Sequence, residues 1–172
     1  MSAAMTFDVD PLTEVYNALV DVIRKSPHVQ KHVEAGNIVS FGDERSSAKR
    51  SNLAKVDADM PELTIAPSGG IHEMRVTNKS AMHVERYNVF IRTGSRVAPE
   101  QMYPVRFALY RAIAAIDNFG LDYVMAIGSE PIEFESEPPG NNEDDGPEGW
   151  QGLMAINVQM HLDRKSMAAE AV

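Results

Sequence analysis

Five histidines, no cysteine and an excess of carboxylates limit the chemistry this chain can offer. Without cysteine there are no disulfides and no thiolate metal sites. His28 and His32 stand four apart, a spacing that could align two imidazoles on one helix face for zinc, with Glu34 or a distant residue as third ligand. No HExxH accompanies them, and two solvated histidines at a helix end is the simpler reading. His72-Glu73 and the His83/Glu85 pair could form an acid–base couple if their strands adjoin; the simpler reading places them at surface positions of strands. The acidic cluster from Asn142 to Asp145 lacks the alternating order and closing glutamate of a calcium loop. Gly69-Gly70 stands alone with no phosphate-loop sequence around it, and no GxSxG elbow occurs. By elimination the residues favour a binding or structural role over an enzymatic one, with no catalytic residue, metal or cofactor assigned.

Charge is more informative than reactive groups. The net charge is -9, which argues against a protein that grips nucleic acid over its whole surface. From Glu130 to Glu148 there are eight acidic residues, Glu143, Asp144 and Asp145 among them, and no lysine or arginine. Between Arg45 and Lys55 the balance reverses: Arg45, Lys49, Arg50 and Lys55 are accompanied by no acid. The molecule therefore carries one acidic and one basic feature. Trp150, the single tryptophan, begins the last apolar run and suits either a core or a subunit-interface anchor.

Periodicity supplies the elements. Asp10-Pro11 is a capped helix start, and Leu12, Val15, Tyr16, Leu19, Val22 and Ile23 follow a 3.6-residue period up to Ser26-Pro27. His28 to Glu34 predicts a short second helical piece stopped at Gly36, and Asn37 to Phe41 a short strand. Pro61 to Pro67 predicts a short edge strand closed by prolines, with Ser68-Gly69-Gly70 as a turn and a further extended piece from Ile71 to Val76. In the strand Met82 to Arg92, Tyr87, Val89 and Ile91 share one face while Val84 and Phe90 point to the other. Met102, Val105, Leu109, Ala112, Ile113 and Ile116 line one face of the most apolar helix, with Phe107, Tyr110 and Ala114 as a second stripe. That pattern predicts a central helix covered on most sides, ended by Asn118-Phe119-Gly120 with Gly120 as a left-handed cap. Tyr123 to Ile127 reads as a strand that continues through Ile132 and Phe134. The final strand of about thirteen residues alternates Met154, Ile156, Val158, Met160 and Leu162 with polar neighbours, far longer than a typical strand of roughly 5–6.

The sum is an α+β fold: a mainly antiparallel sheet, an N-terminal amphipathic helix and a central buried helix packed on it, and a long C-terminal hairpin. At 172 residues one domain is expected, 1–172, with a flexible N-terminus 1–9, mobile loops 42–60 and 137–149, and a tail 165–172. The first residues, Met1 to Asp8, have neither a basic n-region nor an apolar h-region, so secretion by a standard signal is not expected, and no apolar run approaches the roughly 20 residues that cross a bilayer.

The order of elements — helix at Asp10-Pro11, polar loop, strand Val84 to Gly94, helix Val105 to Ile113, acidic hairpin, final strand from Trp150 — resembles tail terminator proteins of tailed bacteriophages. It also resembles related minor tail and neck-connector proteins. The resemblance covers most of Asp10 to Arg164, its nearest signatures being the Arg92-Thr93-Gly94 turn and the closing Asp163-Arg164; the loops 42–60 and 137–149 are long for that family. It implies a structural virion protein of the tail or neck, assembled in the host bacterial cytoplasm. The subunit forms a ring, commonly a hexamer, that caps the tail tube and joins head-completion or neck proteins. DNA passes through without sequence-specific contact, no membrane is involved, and the family has no catalytic residues. On that footing Trp150, Arg86, Arg92, Arg106 and Arg111 are candidate interface residues, Glu143, Asp144 and Asp145 candidate lumen residues, and Arg45, Lys49 and Arg50 candidate docking residues. A soluble, non-enzymatic α+β ligand- or protein-binding module is the alternative.

Overall fold

The computed structural model describes residues 10–40, 61–75, 80–93, 102–131 and 151–163. Its elements are α1 (Pro11–Lys25), α2 (Pro27–Gln30), a 3-10 turn (Ala35–Asn37), β1 (Ile38–Ser40), β2 (Glu62–Arg75), β3 (Ser80–Arg92), α3 (Met102–Ala114), β4 (Val124–Pro131) and β5 (Gln151–Asp163). The strands form one sheet in the order β1-β2-β3-β5-β4. Only β1 and β2 run parallel; the other three pairings are antiparallel. The fold is α+β, as the periodicities predict.

The sheet is built on β3 and β5, which pair residue for residue from Ser80 opposite Asp163 to Arg92 opposite Gln151. Because side chains alternate across a strand, that register puts Tyr87, Val89 and Ile91 beside Met154, Ile156, Val158 and Met160, all buried, on one face. The helices cover this face. Val15, Leu19, Val20 and Ile23 of α1, and Met102, Val105, Ala108, Leu109, Ala112 and Ile113 of α3, join the strand residues in one core. Two polar contacts dock α1 on the first two strands. The Tyr16 hydroxyl donates to the Ile65 carbonyl at 2.8 Å, and Arg24 donates through Nε and a terminal nitrogen to the Ile38 carbonyl at 3.1 and 3.0 Å.

Local chemistry sets the helix ends. The Asp10 carboxylate accepts from the Thr13 amide at 2.8 Å with Pro11 at the first position. Ser26 and Pro27 end α1 and begin α2, whose cap is the Ser26 hydroxyl. At the C-terminus of α1 the Gln30 side-chain amide donates to the Arg24 carbonyl at 2.7 Å.

Several expectations are corrected. The segment from Pro61 is no edge strand: β2 lies between β1 and β3 and continues to Arg75. Pro67 is accommodated because, among the described residues, β1 meets β2 only at Leu63 to Ile65, so no second ladder of theirs reaches the proline. Ser68-Gly69-Gly70 is a register shift inside that strand and not a turn, the irregularity falling between Ser68 and His72. The second helix stops at Gln30, and Gly36 belongs to the 3-10 turn. Helix α3 ends at Ala114, ahead of Asn118-Phe119-Gly120. Gly120 is left-handed (φ 75°) together with Phe119 (φ 56°), in a turn that the Asn118 carbonyl and side chain hold together. The predicted strand residues 132–134, the loops 42–60 and 137–149, and both termini lie outside the described residues.

Replacing Asp10 with alanine removes the cap and lowers stability by about 1 kcal/mol, a fall in Tm of about 2–4 °C. Hydrogen bonds from the first turn hold the Asp10 pKa below its ordinary value. The cap's contribution is therefore present above that ordinary value and is lost as pH falls through the depressed one. Thermal melts of wild type and Asp10→Ala should converge in acid.

Candidate interaction surface

The four arginines singled out as interface candidates divide between the sheet and α3. Arg86 and Arg92 belong to the sheet face turned away from the helices, half-buried, Arg86 opposite Ser68 and Asn157 and Arg92 opposite Glu62 and Gln151. The Arg86 Nε and the Asn88 side-chain carbonyl on the same face are buried and have no hydrogen-bond partner among the described residues. Arg106 and Arg111 lie on α3. The Arg106 guanidinium sits 5.7 Å from the centre of the Tyr110 ring, with one nitrogen 3.4 Å from its hydroxyl. Arg111 is exposed. Trp150, Glu143, Asp144, Asp145, Arg45, Lys49 and Arg50 lie outside the described residues.

Helix α3 is not covered on most sides. Its inner face is buried as predicted, but Tyr103 is 64% and Phe107 63% exposed, Ala114 is exposed and Tyr110 half-buried. Residues 103, 107, 110 and 114 follow helical steps and make one outward stripe, bounded by Arg106 on one side and Arg111 on the other. A helix with a buried face normally turns charges to water; this one presents aromatic rings framed by guanidinium groups. Beside Arg111 the helix forms one wall of an open groove of about 630 Å³. Ala18, Val22 and His28 line the opposite wall, and Ala112, Ile116 and Phe119 the near one. Lys25 and Asp21, ion-paired at 2.7 Å, border it as well.

The histidine pairs fare differently. His28 is half-buried in α2, whereas His32 is exposed in the turn after it, so the two do not share a helix. No cluster of three or more metal-ligating side chains occurs among the described residues. The strands of the other pair do adjoin, with Glu73 opposite His83. Yet Glu85 is not the surface residue expected: it is 7% exposed, on the helix-facing side of β3. His83 Nε2, Glu85 Oε2 and the Tyr87 hydroxyl are all buried without a hydrogen-bond partner among the described residues. The signal was present in the alternation, since His83 and Glu85 share the parity of Tyr87, Val89 and Ile91. Tyr16 stacks on Tyr87 with ring centres 5.8 Å apart, and Tyr123 donates to the Glu14 carboxylate at 2.6 Å. Burial raises the Glu85 pKa, and it raises that of Tyr87 strongly, with the Glu85 charge adding to the effect.

A buried carboxyl whose folded-state pKa is raised binds its proton more tightly in the native chain than in the unfolded one. Stability then declines as pH rises from the ordinary carboxyl value through the raised one. Glu85→Gln keeps the shape and removes that decline. Its Tm should exceed the wild-type value by about 2–4 °C at neutral pH, and the two should coincide near pH 4, as pH-dependent melts will show.

No helix among the described residues is long and apolar enough to cross a membrane. No protein-family model matches the chain, and no curated protein matches it.

Proposed function

We propose that the chain is a structural, non-enzymatic ring subunit of a phage tail or neck. In this reading it caps the tail tube in the manner of a tail terminator and joins head-completion or neck proteins. The observation that carries the reading is the outward face of α3. Exposed tyrosine and phenylalanine bounded by arginine is the side-chain chemistry of interface cores, where aromatics and arginine are enriched and most binding energy concentrates. Arginine suits such a position because its planar, weakly hydrated guanidinium tolerates desolvation against rings and carboxylates. A cyclic assembly requires a heterologous contact, one face of a subunit against a different face of the next. The chain offers an arginine-framed α3 face and a strongly acidic stretch from Glu130 to Glu148. The acidic residues Glu143, Asp144 and Asp145 suit the lumen, since negative walls repel phosphate and let DNA slide, and the basic Arg45, Lys49 and Arg50 suit docking on an acidic surface.

A second reading has its own observation. The groove between α1 and α3, mostly apolar in its lining with Arg111 and His28 among the lining residues, favours a binding module that holds a small ligand or a partner's side chains.

Sizing with light scattering, over a range of concentration and salt and with negative-stain images of the same fractions, separates the two. Rings, or monomers that become rings when tail tubes are added, are expected; a strict monomer that ignores tubes overturns the ring reading in favour of the module. Phe107→Glu and Arg111→Glu should each weaken self-association by about tenfold or more. Both positions face water, so the melting temperature should stay close to that of wild type. Unchanged assembly in both variants would remove the α3 face from the interface.

A further inference from the structure

The groove between α1 and α3 is long enough to take a piece of a partner's secondary structure. Ala18, Asp21, Val22 and Lys25 line it from α1. They stand at i, i+3, i+4 and i+7, one continuous face over two helical turns, about 10 Å in length. Ala112, Ala115 and Ile116 line it from α3 and the residues just past its end. Alanine at 18, 112 and 115 keeps side-chain volume out of the space, while Val22, Ile116 and Phe119 give it an apolar surface. Two turns match a helix that anchors itself through apolar residues at i, i+3 or i+4, and i+7.

The charge around this groove is opposite to that of the chain. The protein carries -9 in all, yet the stretches that form both walls are basic. From Arg24 to Val33 there are Arg24, Lys25 and Lys31, with His28 and His32, and no acid; from Met102 to Ile116 there are Arg106 and Arg111 and no acid. Arg24 is engaged by the Ile38 carbonyl, and Lys25 neutralises Asp21, the one carboxylate among the lining residues, at 2.7 Å. Asp117 follows Ile116, exposed and outside the lining. Arg111 in the lining and Lys31 in the turn after α2 are exposed, and neither has an ion-pair partner among the described residues. An apolar groove with surplus positive charge beside it complements an acidic amphipathic segment and repels a basic one. With Phe119 as its single aromatic lining residue it lacks the stacking platform that single-stranded nucleic acid uses.

We propose that this groove receives an acidic amphipathic helix of a partner protein, its apolar side seated between α1 and α3 and its carboxylates beside Arg111 and Lys31. This rests on the reading of the groove as a binding site, names the partner that reading leaves open, and holds whether or not the subunits close into rings.

Two fluorescein-labelled synthetic helices of about 15 residues test this on the full chain. Both carry leucine at i, i+3, i+4 and i+7, and the remaining faces carry glutamate in one and lysine in the other. Fluorescence anisotropy should show the glutamate helix binding about tenfold more tightly than the lysine helix, or better, with a difference that shrinks in salt. The overall charge of the chain favours the lysine helix, so the opposite preference reports the groove. Ala115→Leu places a larger side chain in the groove at an exposed position. It should weaken the glutamate helix by about tenfold or more and leave Tm and the size of any assembly unchanged. Arg111→Glu should cut the preference for glutamate by about tenfold. Equal binding of the two helices, or equally tight competition by a thymidine oligonucleotide, would overturn the acidic partner and leave the groove as a binding site. Binding of neither helix would overturn both. Binding that Ala115→Leu leaves unchanged would put the site elsewhere and overturn the proposal. Loss of assembly in Ala115→Leu would make the groove a contact between subunits, which overturns the proposal and keeps the ring.

Discussion

The uninterrupted antiparallel register between β3 and β5 is the constraint on which the remaining structure depends. In a strand the side chains alternate with a period of two, so a slip of one residue would carry Met154, Ile156, Val158 and Met160 to the opposite face and bring Ala155, Asn157 and Gln159 under the helices. With the register set, the apolar face is continuous, α1 and α3 have a single surface to cover, and β2 and β4 can add only to the outer sides of the pair. The same alternation decides where the polar residues of β3 go. His83, Glu85 and Tyr87 must turn inward because Val89 and Ile91 do. Arg86 and Asn88 must turn outward with Phe90.

That arithmetic places a destabilising row inside the protein. An unpartnered buried polar atom costs roughly 1–3 kcal/mol, more if charged, and β3 carries several such atoms in sequence. They are tolerated because the strand is held on both sides by long antiparallel ladders. The stack of Tyr16 on Tyr87 adds a contact from α1, whose own position is pinned by hydrogen bonds to backbone carbonyls of β1 and β2. The first helix thus fixes the parallel pair, while α3, packed over the same core, keeps its aromatic side free for another surface.

Elements defined by periodicity were legible in the sequence. The α1 stripe, the inner face of α3 and the alternation in β5 each repeat a simple spacing often enough to outweigh local exceptions. β2 was not legible, because its prolines and glycines are punctuation in isolation. Only the pairing with β3 on both sides of the Ser68 to His72 irregularity makes them one strand. The outward face of α3 misled for a different reason: an apolar stripe says that a helix has something to cover, not whether its own chain covers it. Glu85 was read by residue type as a surface group, although its parity assigned it to the core. Of the candidate surface, the arginines of α3 were found by composition. Tyr103, which completes their setting, went unnoticed because a tyrosine at the start of an apolar helix carries no signal by itself.

The placement of β5 has a consequence for the way the chain is made. It follows β4 in sequence yet lies between β3 and β4 in the sheet. Until it arrives, β3 and β4 lack the strand that joins them among the described residues, and the apolar side of both is only half assembled. Closure joins Ser80 to Asp163 and Arg92 to Gln151, contacts distant in sequence that form slowly because a long loop must be restricted first. A chain that lacks β5 therefore cannot complete the described sheet, and the core under the helices closes only once β5 has joined β3 to β4.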